Sequence, residues 1–201
     1  MEIPFSQAAE NNKEAILEVL RDFLTEPQTV LEIGSGTGQH GVFFAAALPH
    51  IKWQFGDQRQ YHSAIHYYSG QASLSNLLPP LDIEVSRFNW QTVSAHSVFS
   101  ANTAHIMSLA EVELMFCGVA EVLENSNGVG SFLLYGPFNR DGRFTSESNR
   151  QFDQMLRRGN PTMGIRDDQE LCRIAHQNRL DLTQDIEMPA NNRILCWALR
   201  D

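Results

Sequence analysis

The chain has 201 residues, 42% of them apolar and 19% charged, which suits one domain with a sizeable core. Its 24 acidic against 15 basic side chains give a formal net charge of -9. With no basic run anywhere, that balance argues against a large nucleic-acid footprint and leaves a small molecule, or else a protein, as the expected partner.

Apolar spacing predicts a helix over residues 6–24, closed by Pro27, and then a short buried strand over 29–33. A helix over 42–48 ends at Pro49, and a second strand over 51–55 runs up to Asp57. Residues 61–74 have helical spacing. Pro79 and Pro80 read as a break before a third strand, in which Leu81, Ile83 and Val85 alternate with polar residues and which Phe88 extends. Residues 104–109 read as a fourth strand and 112–123 as a helix, with a turn at Asn127-Gly128. A fifth strand follows over 131–135, then helices over 147–156 and 168–178. Two last strands, 180–187 and 194–199, are separated only by Met188-Pro-Ala-Asn-Asn-Arg193. Five alternating strand–helix units imply a parallel sheet with helices on both faces, and the short final link implies an antiparallel hairpin.

Cys117, Cys172 and Cys196 are odd in number and form no C-x-x-C pair, so neither a disulfide framework nor a zinc site is signalled, and buried thiols are expected. The stretch MEIPFSQAAENNKE is polar and acidic, unlike a secretory signal, and no apolar run approaches the ~18 residues of a membrane span. Cytoplasm is the expected compartment. The sequence carries no signal for oligomeric state. The expected organisation is a single domain, with residues 1–28 as a helical cover over a core of residues 29–201.

The chemistry concentrates in VLEIGSGTGQHG, residues 30–41. A phosphate-cradling loop needs G-x-x-x-x-G-K-[ST], and no Lys follows these glycines. Gly36, Gly38 and Gly41 satisfy the dinucleotide pattern G-x-G-x-x-G, with Asp57 placed to take a ribose, which keeps an NAD-dependent oxidoreductase open. A third register, Glu32-Ile33-Gly34-Ser35-Gly36-Thr37-Gly38, resembles motif I of the class I S-adenosylmethionine-dependent methyltransferases, E/D-x-G-x-G-x-G. Side chains at these glycines would crowd such a cofactor, and the N–H groups that open the next helix suit its carboxylate.

That resemblance implies a Rossmann-like α/β fold, a mostly parallel seven-stranded sheet with an antiparallel C-terminal strand, and S-adenosylmethionine as cofactor. It implies that Asp57 takes the ribose hydroxyls and that Asn89-Trp90 contacts adenine, Asn standing where an acid is commoner. The N-terminal segment around Asn12 and Lys13 covers the cofactor on this reading. The blocks SQAAENNKEAIL, EIGSGTGQHGVFFA, LLYGPFNRDGRFTSESNRQFD, GIRD and MPANN resemble the uncharacterised methyltransferase-like 26 family across nearly the whole chain. In that branch a Ser-Pro-Trp-like stretch follows the fourth strand; Ser108-Leu109-Ala110-Glu111 stands in its place. The resemblance supplies no acceptor.

Ligands of open α/β sheets bind outside the carboxyl ends of the strands. That rule gathers Phe138 and Asn139, and the turn with Asn191 and Asn192, onto one rim as candidate acceptor contacts, with Arg166 beside them. His105, Tyr135, Asn149 and Asp153 are candidates for proton transfer, each with a plain alternative: a core histidine, a packed strand end, a helix cap or a structural ion pair. His40 is equally open between helix packing and cofactor contact. His62 and His66 stand four apart without an evident third ligand, so no metal site is expected. The sequence thus predicts methyl transfer from S-adenosylmethionine to a small molecule. An NAD-dependent oxidoreductase and a non-catalytic cofactor-binding or interaction protein of the same fold stay open.

Overall fold

The computed structural model describes residues 4–126 and 130–200. The expected turn at Asn127-Gly128 lies outside them. Helix α1 (Gln7–Phe23) opens on Ser6, whose hydroxyl accepts the Ala9 N–H, and buries Ile16, Leu17 and Leu20 along one stripe. Then follow β1 (Gln28–Ile33), α2 (Gln39–Ala47), β2 (Ile51–Asp57), α3 (His62–Ala72), β3 (Leu77–Asp82), β4 (Ser97–Ala101), α4 (Leu109–Glu124) and β5 (Ser131–Gly136). The short β6 (Phe138–Asn139) and β7 (Arg166–Asp167) flank α5 (Glu147–Gly159). Helix α6 (Asp168–Gln177), β8 (Leu180–Met188) and β9 (Asn192–Leu199) complete the chain.

Seven strands form one sheet in the order β3-β2-β1-β4-β5-β9-β8. β1 to β5 pair in parallel, and β9 runs antiparallel between β5 and β8. β6 and β7 make a separate two-stranded parallel pair. One apolar cluster seats Ile16, Phe44 and Ile65 of α1, α2 and α3 against Trp53 and Phe99; a second, on the opposite face, seats Phe116, Leu171 and Ile174 of α4 and α6 against Phe132 and Trp197. The expected layering therefore holds. Each fully buried aromatic of these clusters contributes about 1.5–3 kcal/mol or more of burial free energy.

Two strands lie elsewhere than the sequence predicts. The third runs through Pro79 and Pro80 instead of starting after them. It is an edge strand, where proline's missing N–H is tolerated. The ladder steps from Gln54↔Leu78 to Gly56↔Leu81, so the two prolines oppose Phe55 alone in a bulge, and the Gln54 side-chain amide donates to Pro79 O. The fourth strand is Ser97–Ala101, not residues 104–109. Its serines disguise a buried strand: Ser97 Oγ donates to Gln28 Oε1 (2.8 Å) and Ser100 Oγ to Ile33 O (2.7 Å). Residues 104–108 instead form a turn in which Ile106 and Met107 N–H donate to Thr103 O, and Ser108 with Glu111 builds a capping box that starts α4.

Among the described residues no helix is long and apolar enough to cross a membrane. The three thiols are free. Cys117 is exposed, in contrast to the expected burial, and Cys196 is buried.

Candidate functional site

β1 ends in the middle of the sheet, and the chain must turn at once into α2. Gly34, Gly36 and Gly38 make that turn with φ of +77°, +56° and +81°, all in the left-handed region. Their reasons differ. A Cβ on Gly34 would lie less than 3.0 Å from Thr103 Cγ2, and one on Gly38 would lie 3.2 Å from the Ile65 backbone. A Cβ on Gly36 would meet nothing within 4 Å, because it would point into open space.

That space is a cavity of about 720 Å³ at the carboxyl ends of β1, β2 and β4, a volume typical of small-ligand sites. Gly34, Ser35 and Gly36 form its floor, with Asp57 and Gln58 after β2, Ile83-Glu84-Val85 after β3, and Asn102-Thr103 after β4. Ser6, Ala8 and Ala9 of α1 bound it from above, and Ile106, Met107, Glu111 and Met163 from the side.

Asp57 is held by two backbone N–H groups. Gly36 N–H donates to its Oδ2 (2.6 Å) and Gln58 N–H to its Oδ1 (2.7 Å), so both oxygens are fixed while each keeps a lone-pair direction free. Burial pushes its carboxyl above the usual range, opposed by those two N–H groups. Ser35 is mainly a splice between strands: its N–H donates to Gly56 O (3.2 Å), and its Oγ accepts Gly56 N–H (3.1 Å). Glu32 is wholly buried beneath the loop, with its Oε2 accepting the Trp53 indole N–H (3.0 Å), and it does not line the cavity. Burial pushes its carboxyl up to about 7, and the Asp57 charge adds to the rise.

α1 is fastened over the cavity at several points. Ser6 N–H donates to Gln39 Oε1 (2.7 Å), Tyr68 Oη donates to Pro4 O (3.1 Å), and His40 Nε2 donates to Asn12 Oδ1 (2.7 Å). Asn12 thus holds the cover rather than lining the site, and Lys13 pairs with Glu10 and lies 4.8 Å over the Phe43 ring. His40 lines the cavity and stacks on Phe44, its ring centroid 5.3 Å away. Burial pushes its imidazole down to about 4.

The structure does not bring Asn89 and Trp90 to the cavity. Asn89 is exposed, and Trp90 packs against Gly118 and Phe88 in the core. The cause is the four-residue displacement of β3: the residues that leave its end toward the site are Ile83, Glu84 and Val85. Glu84 is the acid that leaves β3 toward the cavity, and the proline pair hides it in the sequence by moving the strand.

The candidate acceptor and proton-transfer residues also lie outside the cavity lining. His105 is buried against Phe152, with ring centroids 5.1 Å apart, and burial with the Arg166 charge pushes it down to about 4. Tyr135 is buried among the α1–α2 side of the core, with its hydroxyl near Asn12. Asn149 ties α5 to the hairpin, donating to Thr145 Oγ1 (2.9 Å) and Asn191 O (3.3 Å). Asp153 accepts Ile165 N–H (2.8 Å) and Arg157 Nε–H (2.8 Å). Arg166 donates to the carbonyls of Ala104 (3.0 Å), Met107 and Thr162 (2.9 Å), clamping the post-β4 turn. Phe138 is core, and Asn139 donates weakly to Ile165 O (3.4 Å). Asn191 is exposed with φ +58°, and Asn192 donates to Pro189 O (3.1 Å). These residues form the scaffold of the rim. His62 donates to Asp57 O (2.9 Å), and the described residues contain no group of three metal-ligating side chains.

A family model described as a protein of unknown function, DUF938, matches residues 3–199. The chain belongs to the DUF938 family. The DUF938 chain is similar in structure to an O-methyltransferase family protein from Burkholderia thailandensis, with a TM-score of 0.81 at 12% identity, covering 94% of this chain and 56% of that one. It is also similar to the S-adenosylmethionine-dependent methyltransferase SibL in its apo form, with a TM-score of 0.77 at 14% identity over 96% and 56% of the two chains. A third likeness is to CalO1, a methyltransferase in calicheamicin biosynthesis, in its SAH-bound form, with a TM-score of 0.73 at 14% identity over 93% and 54%. The DUF938 chain therefore spans little more than half the length of these structures. What they share is the fold: a Rossmann-like methyltransferase sheet with its antiparallel C-terminal strand.

Proposed function

We propose that this chain binds S-adenosylmethionine and transfers its methyl group to a small-molecule acceptor. The observation that carries this reading is the hydrogen-bonded pairing of the triple-glycine turn with Asp57 at the wall of the cavity of about 720 Å³. The residues present suit the cofactor. Gly36 leaves room beside the backbone, Asp57 offers two fixed acceptors to a vicinal diol, and the start of α2 after Gly38 has no side-chain cap of its own for its N–H groups. We assign the adenine wall to Ile83, Glu84 and Val85 in place of Asn89 and Trp90. When bound, the cofactor supplies an electrophilic methyl on a sulfonium. The chain's own part is to align the acceptor, exclude water beneath α1 and steady the ribose.

We read the chain as one domain, with residues 1–28 as the cover, and the sequence blocks as kinship with the methyltransferase-like 26 family. The parallel-to-antiparallel switch at β9 and the methyltransferase neighbours favour this reading over an oxidoreductase. Gly41, the third glycine of the dinucleotide register, packs α2 onto Trp53 and Phe55.

Thermal unfolding with S-adenosylmethionine, S-adenosylhomocysteine, NAD or NADH tests it. A ligand present at 100 times its Kd adds about 2.7 kcal/mol, which raises the Tm of a chain this size by about 5–10 °C. The two S-adenosyl compounds are expected to give that rise. A rise with NADH alone would overturn the proposal.

A further inference from the structure

The cavity wall is one-signed. Among the described residues that line it are three carboxylates, Asp57, Glu84 and Glu111, and not one Lys or Arg. The undescribed positions add no basic side chain, since they are Met1, Glu2, Ile3, Asn127, Gly128, Val129 and Asp201. The one histidine in the lining, His40, is held neutral at pH 7 by burial.

The nearby cations are committed elsewhere or stand outside. Arg59, between Gln58 and Gln60, is exposed and does not line the wall. Arg166, behind Met107, spends its Nε and Nη2 hydrogens on three backbone carbonyls. Helix starts are the other source of positive potential. The start of α4 is already occupied by the Glu111 carboxylate, which accepts from Ser108 N–H and Oγ–H (both 2.7 Å). The start of α3 stands beside Asp57, joined through His62. The start of α2 is the end assigned above to the cofactor's own carboxylate.

We propose that the acceptor taken by this cavity carries no negative charge, so that uncharged and cationic nucleophiles are substrates and phosphorylated, sulfated or carboxylated ones are not. This rests on the methyl-transfer reading. The bound cofactor brings one net positive charge against these three carboxylates, so an anion placed here would be desolvated in a cavity that stays negative and offers no Lys or Arg to pair with. In the transfer, the acceptor's lone pair bonds to the methyl carbon. The carbon–sulfur bond breaks with its electron pair left on sulfur, and a protic acceptor's proton passes to water at the cavity mouth by Ile106 and Tyr61, both exposed.

The test uses the full chain with methyl-labelled S-adenosylmethionine. Cell metabolites are first split on ion exchangers at neutral pH into anionic, cationic and uncharged pools, and each pool is incubated with the protein. The label is expected in the uncharged or cationic pool, in excess over the anionic pool by about a hundredfold or more. Label in an anionic product would overturn the inference. So would a protein that is stabilised by S-adenosylhomocysteine yet labels neither the uncharged nor the cationic pool. A protein that S-adenosylhomocysteine does not stabilise would overturn the methyl-transfer reading itself, and this inference with it. Replacing the wall charge supplies a second readout. Glu111→Lys is expected to lower labelling of the preferred pool while keeping the rise in Tm with S-adenosylhomocysteine, and labelling unchanged would count against the wall as the selector.

Discussion

Gly34→Ala and Gly36→Ala place the same methyl group two residues apart, and the structure predicts opposite consequences. At Gly34 the backbone sits at φ +77°, and the new Cβ falls within 3.0 Å of Thr103 Cγ2. Left-handed strain costs about 1–2 kcal/mol, and overpacking a buried contact about 1–3 kcal/mol, so the loss is about 2–5 kcal/mol. Thr103 cannot rotate away freely, because its hydroxyl is 2.6 Å from Ser100 Oγ, which in turn donates to Ile33 O. At Gly36 only the strain applies, about 1–2 kcal/mol, but the methyl enters the cavity. Urea unfolding of the two variants and of Gly34→Ala/Thr103→Ser checks this reasoning. Removing Thr103 Cγ2 while keeping the hydroxyl is expected to restore the steric share and leave only the strain. Gly36→Ala is expected to fold nearly normally and lose the rise in Tm with S-adenosylhomocysteine. Refutation is a double variant no more stable than Gly34→Ala, or a Gly36→Ala that binds as wild type does.

Glu32 titrates in the folded chain at about 7, against 4.5 for the ordinary group. A raised carboxyl favours folding fully below 4.5 and loses that advantage as pH rises through about 7, so Glu32 lowers stability at pH 8 relative to pH 4.5 by about 3 kcal/mol. Glu32→Gln keeps an acceptor for Trp53 and is expected to flatten that fall, as read by urea unfolding across pH 5–8. His40 acts in the other sense. Lowered to about 4, it withdraws stability as pH falls from 6.5 toward 4, and His40→Gln is expected to remove that component. Arg166→Lys cannot reach the Ala104, Met107 and Thr162 carbonyls together; it is expected to cost about 2–4 kcal/mol by the same assay.

The layering of the fold was legible because its signals are periodic. Helix stripes such as Ile16, Leu17 and Leu20, the glycine turn and the short link before Asn192 each declare themselves locally. What misled was local chemistry answered by distant partners. Pro79 and Pro80 look like a break until the bulge opposite Phe55 houses them. Ser97 and Ser100 look exposed until Gln28 and Ile33 take their hydroxyls. In the site, Gly34, Ser35, Gly36 and Asp57 were readable because backbone conformation and spacing from β1 and β2 fix them. The residues that leave β3 toward the cavity were displaced with the strand. Asn149, Asp153 and Arg166 are legible in the sequence only as chemical capacity; in the fold Asn149 and Asp153 fasten α5, and Arg166 fastens the post-β4 turn, all outside the cavity lining.

Cofactor affinity should carry a pH signature that separates Asp57 from everything around it. Ionised, its two oxygens hold Gly36 and Gln58 N–H and still accept two hydroxyls. Protonated, one oxygen turns donor, faces an N–H it formerly accepted, and loses its capacity for the diol. Burial raises the value at which this happens, so S-adenosylhomocysteine affinity is expected to fall on acidification at a higher pH than an ordinary aspartate would allow. Asp57→Asn, neutral throughout, is expected to bind weakly, with a loss of about 1.5–3 kcal/mol for the missing charge-assisted bond, and to show no such slope. Calorimetric titration from pH 8 down to 4.5 distinguishes the cases. A wild-type profile as flat as that of Asp57→Asn would remove Asp57 from the cofactor site and leave it as a brace for the glycine turn.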